Sequence, residues 1–230
     1  MIYRRRALAL ALVLVAALAG CSKAAENTLP PVTPTTPELI DVGPLVFPDY
    51  ANPFTPQGKP FGTAQAAGFV VSYFEVTRSV AATDSGLIDT VTHNDVWPAG
   101  RPTLYVETVV TRVDPGDVYI DVTLLEPVVS VASAGMNYAG GIQNIPPFDV
   151  ALANQVGVSQ LPVHLLPTEL IANPRRLLAQ GQSIAKANVM PLLTGKTYGF
   201  DVEYFRASET AGKDDPYQYV PFPSVRAVFS

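Results

Sequence analysis

One cysteine, one tryptophan and two histidines are all that 230 residues contain of those types, and only 15% of the chain is charged. A single cysteine excludes an internal disulfide, so burial alone must hold the fold together. Two histidines and one cysteine cannot supply the three or four converging ligands of a zinc site without carboxylates from distant segments, so neither a metal nor a cofactor is expected. Positive charge is also scarce: 15 Lys and Arg stand against 20 Asp and Glu. Beyond residue 6 only Arg175 and Arg176 are adjacent, too small a footprint for a phosphate backbone, and a nucleic-acid partner is excluded. Long apolar runs are missing too. The longest, residues 7–19, spans 13 positions, short of the roughly 20 that a membrane-crossing helix needs.

What precedes and follows that run gives it a meaning. Arg4, Arg5 and Arg6 lead into residues 7–19, which are only Ala, Leu and Val, and Gly20 and Cys21 follow. Charged start, apolar middle and small-residue end make a secretory signal. Tyr3 and Ala7 fit the twin-arginine export route poorly, so general secretion is expected. Leu18-Ala19-Gly20-Cys21 resembles the lipobox of bacterial lipoproteins. The resemblance implies cleavage before Cys21, a diacylglyceryl group on its thiol, and a protein held on the extracytoplasmic side of the cell membrane. Burying acyl chains contributes ~0.8 kcal/mol per methylene, and stable anchoring takes more than one chain. Residues 1–20 are then the signal peptide. Loss of its three arginines leaves 12 basic residues against 20 acidic ones in the mature chain.

Residues 21–61 read as the lipidated Cys21 and a disordered Pro/Thr-rich linker. Proline fixes φ and removes a donor, so such a stretch favours extended polyproline-like spacers. Two P-x-x-P patterns at 31–34 and 34–37 resemble ligands of intracellular proline-binding domains, partners that are not outside a bacterium. A spacer is the better reading. Towards its end, Phe47, Tyr50, Phe54 and Phe61 alternate with prolines, and these rings are expected to pack the linker onto the domain that follows, with a boundary between 42 and 62.

Residues 62–230 are read as the folded domain, and from Gly68 onward the period becomes two. In 117–125, Val118, Ile120, Val122 and Leu124 share one face and Asp117, Tyr119, Asp121 and Thr123 the other, the alternation of a half-buried strand. Residues 103–113 are β-branched and aromatic. With Asp114-Pro115-Gly116 between them, 103–125 is predicted to be a hairpin. Further strands are predicted at 68–78, 87–92, 128–133, 161–166, 182–190, 196–207 and 224–229, and a two-turn helix at 174–180, capped by Asn173 and ended by Gly181. Many short strands punctuated by Gly and Pro predict an all-β, antiparallel sandwich. The pattern is similar to the immunoglobulin-like β-sandwiches of bacterial surface lipoproteins. Those need only about 100 residues, so the resemblance implies one sandwich with long loop insertions, notably 134–160, or two small sandwiches; the absence of a clean linker favours one.

Chemical motifs are weak. Ser183-Ile184-Ala185-Lys186 matches the S-x-x-K of penicillin-binding proteins, but lies in a predicted strand, where positions three apart face opposite ways, and the partner motifs are missing. Gly195-Lys196-Thr197 ends like a phosphate-binding loop, yet Met190 stands where its first glycine belongs. Gly140-Gly141 reads as a loop. His93-Asn94-Asp95, Asp114 with Asp117, and Asp214 with Asp215 each offer too few oxygens or too little convergence for a metal. No catalytic residue is assigned. The binding residues expected are aromatic: Trp97, Tyr217, Tyr219 and Phe222, on loops where rings serve recognition or cap the sandwich ends. The function expected is a lipid-anchored cell-envelope module that binds a protein or a cell-wall glycan. An envelope hydrolase using His93 or His164, or a structural lipoprotein without a discrete ligand, are the alternatives.

Overall fold

Alternating side chains place eleven strands among the residues described by the computed structural model, which are 38–131, 142–210 and 216–230. The first sheet holds β1 (Gly62–Ala66), β2 (Phe69–Val80), β3 (Pro102–Arg112) and β7 (Ser183–Pro191) in the order β1-β2-β3-β7, antiparallel throughout. Ala67 and Gly68 join β1 to β2 with φ of 45° and 76°, the positive φ pair that a two-residue hairpin turn demands. A Cβ on Gly68 would also sit 2.3 Å from an Arg112 Nη.

A second sheet runs β10 (Gln218–Tyr219), β9 (Arg206–Ser208), β4 (Val118–Asp121), β6 (Arg175–Leu178), and a third runs β11 (Val225–Val228), β8 (Thr197–Val202), β5 (Pro127–Val131). These are two halves of one interrupted layer. β10 on β9 and β11 on β8 share an unbroken register, with Val220 N–H donating to Phe205 O between them. On the other side, β4 on β9 and β5 on β8 differ by two residues, taken up where Leu124 N–H turns back to Asp121 O. The all-β, antiparallel, sandwich-like fold expected from the sequence is thus present.

The predicted hairpin at 103–125 is not. Its two strands exist, but β3 pairs with β2 and β7 while β4 pairs with β6 and β9. Residues 102–121 and 175–191 run side by side and leave the first sheet for the second together. Asp114-Pro115-Gly116, with Gly116 at φ 90°, is a corner between sheets, not a reversal. Arg112 N–H donates to Gln182 O and Gly181 N–H to Arg112 O across it. The same crossing explains why the predicted helix at 174–180 is absent and Arg175–Leu178 form β6 instead. Residues 87–92 and 161–166 form no strand and carry only the single bridges Ile88 to Asp95 and Val163 to Ala51. Two short helices do form, α1 (Val150–Val156), whose amides Ala151 and Leu152 are capped by Asp149, and α2 (Pro167–Ala172). Within the predicted insertion, 142–160 supplies α1, and 132–141 lies outside the described residues.

Between the layers the core is aromatic. Phe61, Tyr73, Tyr198, Phe200 and Phe229 form one cluster with ring centres 5.0–6.2 Å apart, a spacing at which rings add to simple burial. β1 comes so close to β11 that a Cβ on Gly62 would lie 2.2 Å from Val225 Cγ1. The outer face of the first sheet has a second, smaller core of Phe54, Phe74, Val109, Ala153, Val158, Ala185 and Ala187. Its cover is α1 together with residues 38–61. Ile40 N–H donates to Thr63 Oγ1 at the β1 edge, and Ser183 N–H to Val46 O at the β7 edge, so residues 40–46 strap the sheet from edge to edge. Phe47, Tyr50, Phe54 and Phe61 do pack onto the domain. Residues 40–61 are therefore part of the folded unit, ahead of the domain start expected at 62.

Candidate functional site

Of the four aromatic residues expected to bind, two belong to the core. Trp97 is 2% exposed and Phe222 8%, so neither offers a face to a ligand. Trp97 is folded inward because the loop between β2 and β3 closes on itself: Ser85 N–H donates to Trp97 O and Gly100 N–H to Ala81 O. Asp95 fastens that loop by accepting from the amides of Ser85, Gly86 and Trp97. Burial opposes ionisation of Asp95, but these hydrogen bonds outweigh it and hold the carboxyl below its ordinary range. Arg101 lies 4.4 Å from the Trp97 ring centre.

Tyr217 is half-buried under the Arg175 guanidinium, 4.3 Å from its ring centre. Tyr219 is the exposed member, at 50%. It pairs with Arg206 across the β10–β9 ladder, and Tyr204, two positions before Arg206, is also 45% exposed. Partial burial, then the nearby Glu203, Tyr204 and Asp201, raise the Tyr219 phenol above its ordinary pKa. Two open tyrosines beside two carboxylates and an arginine form an amphipathic surface on the second layer.

His93 and His164 are both exposed, in separate loops. Ser183 and Lys186 do not meet: Ser183 Oγ is 2.9 Å from Thr111 Oγ1, while Lys186 Nζ pairs with Glu126 at 2.6 Å. Gly195 sits in a turn closed by Lys196 N–H to Leu193 O. Among the described residues no three metal-ligating side chains gather and no helix is long and apolar enough to cross a membrane. Cys21, Gly140, Gly141, Asp214 and Asp215 lie outside the described residues.

One concavity was missed by sequence reasoning. A groove of about 430 Å³ opens on the outer face of the first sheet, between the strap (Leu39, Ile40, Val42, Leu45) and the loop carrying Pro56, Lys59 and Pro60, with Ser72 and Phe74 of β2 also lining it. Ser72 is 1% exposed and its Oγ has no hydrogen-bond partner. The same face carries Glu107, 2% exposed, opposite Phe74 on β2 and Ala187 on β7. Its Oε2 has no partner either, and burial pushes its pKa well above the carboxylate range. The signal was there to find: Ser72 lies in the run Phe69–Phe74 that is otherwise apolar or aromatic, and Glu107 is the one carboxylate in β3. With this geometry in hand, the chain matches no protein-family model, and comparison with curated proteins and with solved structures gives no match.

Proposed function

We propose that the protein is a lipid-anchored binding module of the bacterial cell envelope. Export would be directed by residues 1–20, anchoring by lipid on Cys21, and recognition by the folded unit on the extracytoplasmic side. The observation that carries the recognition role is the open pair Tyr204 and Tyr219, flanked by Arg206 and Glu203. Exposed rings beside charges suit a protein or glycan ligand, since aromatic anchors dominate such interfaces.

Two measurements test this reading. Cys21→Ser should move the protein from the membrane to the soluble fraction; retention in the membrane would refute the tether. In-cell crosslinking of the lipidated protein, with purification and mass spectrometry, should yield a saturable envelope partner that a Tyr204→Ala/Tyr219→Ala variant loses while its thermal unfolding stays unchanged. Partner recovery equal in variant and wild type would show that recognition lies elsewhere.

A further inference from the structure

Glu107 lies between a fixed strand and a loosely held helix. It sits on the outer face of β3, with Phe74 of β2 on one side and Ala187 of β7 on the other. Phe74 and Ala187 belong to the core that Ala153 of α1 and Val158 close from above. β3 is bonded along both edges, so it cannot move without breaking two ladders. α1 is held far less firmly. Seven residues are too few to sustain a helix by themselves, only Ala153 of the seven is buried, and Val150 is 63% exposed. The ties from 148–159 to the sheet and to residues 38–61 are Asp149 N–H to Tyr105 Oη at 3.0 Å, Ala187 N–H to Ser159 O at 2.8 Å and Asn52 Nδ2 to Ser159 Oγ at 3.2 Å.

No cation among the described residues faces this carboxyl. On β3 the same face carries the Tyr105 phenol, which accepts from Asp149 N–H. On β2 it carries Ser72 and Phe74, while Glu75 and Arg78 are exposed and pair with each other. Lys186 of β7 alternates to the opposite face and pairs with Glu126. Asp149 is the one charged residue in 148–159, and its Oδ1 is spent on the Ala151 and Leu152 amides. Residues 38–61 meet this core through Leu45, Phe47 and Phe54, and their Glu38, Asp41, Asp49 and Lys59 are exposed. An ionised Glu107 thus has neither solvent contact nor a counter-charge while the face is closed, and that costs more than the docking of one short helix returns. We propose that α1 is a pH-released cover: it lies on the first sheet while Glu107 keeps its proton and lifts when the proton leaves, opening the face of Phe54, Phe74 and Val109 with the sandwich intact. In the open state the carboxyl meets water and titrates in its ordinary range; in the closed state burial holds the proton to higher pH. Between those two values opening releases one proton, so the opening constant rises up to tenfold for each unit of pH, and it levels off below the first value and above the second.

The test is hydrogen exchange with mass spectrometry on the full chain between about pH 5 and about pH 9, corrected for the intrinsic pH dependence of exchange, with Glu107→Gln alongside. Amides of 148–159, and the Ala187 amide that bonds to Ser159, should lose protection by up to tenfold per pH unit within this range while those of β2 and β3 stay protected. Glu107→Gln, close in shape and without a charge to bury, should flatten that dependence. Protection of 148–159 that does not change with pH, or that falls together with β2 and β3, would overturn the proposal on wild type alone. An unchanged dependence in Glu107→Gln would overturn it by assigning the effect to another group. None of these readouts depends on the tyrosine surface or on lipid at Cys21.

Discussion

The two faces of the first sheet are built from the same strands and packed by opposite means. Its inner face meets the second layer through five interlocking rings and is closed. Its outer face is covered by a strap, a seven-residue helix and small side chains such as Ala153, Ala185 and Ala187. Both faces bury polar atoms without partners: Tyr73 Oη and Asn188 Oδ1 on the inner side, Ser72 Oγ and Glu107 Oε2 on the outer. The difference lies in the cover, interlocking rings on one face and a strap with small side chains on the other.

Substitutions on each face should separate these roles. Phe200→Ala, at the centre of the ring cluster, should destabilise by about 3–5 kcal/mol, since it removes an aromatic side chain from a site with little room to collapse; a loss below 1 kcal/mol in urea unfolding would show that the cluster is loosely packed. Gly62→Ala should cost about 1–3 kcal/mol, because the new methyl meets the stiff Val225 side chain. Crowding without loss of stability would mean that β1 and β11 can move apart.

On the outer face the signs reverse. The folded protein holds the Glu107 proton at pH values where the unfolded chain has already lost it. The contribution of Glu107 to stability should therefore be fully present in the acid range and be lost as pH rises above the ordinary carboxylate pKa, towards the raised folded value. Glu107→Gln should remove that fall and gain about 1–2 kcal/mol at pH 8 while changing little at pH 4; identical pH profiles for variant and wild type would place the carboxyl in contact with water. The smallest effect belongs to Ser72→Ala, expected within about 1 kcal/mol of wild type or slightly stabilising, because the hydroxyl it removes makes no bond in the unliganded protein. A larger loss would reveal a hidden partner.

Much of the fold was legible because period-two patterning is local. Strands β2, β3, β7, β8 and β11 fall where alternation and β-branched residues put them. Pairing is not local. Asp114-Pro115-Gly116 has the chemistry of a turn, and nothing in 103–125 distinguishes a reversal from a corner, because the answer lies in residues 175–191 crossing alongside. Trp97 misleads for a related reason: its flanking residues look like an exposed loop, and only Asp95 gathering three amides turns the ring inward. Tyr219 was visible as an exposed aromatic, but its neighbour Tyr204 sits in a stretch that reads as a strand. The groove was hidden because its walls come from a proline-rich stretch without period, which reads as a spacer.

The strap that crosses the outer face is also the first piece of the folded unit that a pull on the N-terminal side would reach. Tension entering at Glu38 loads the Ile40–Thr63 contact first and the Val46–Ser183 contact next, long before any force arrives at the ladders of the sheet. The two contacts lie at opposite edges, so they break in succession and not together. A chain tugged from that end thus yields by peeling in small steps, and the sandwich beneath behaves as the last element in a graded mechanical series.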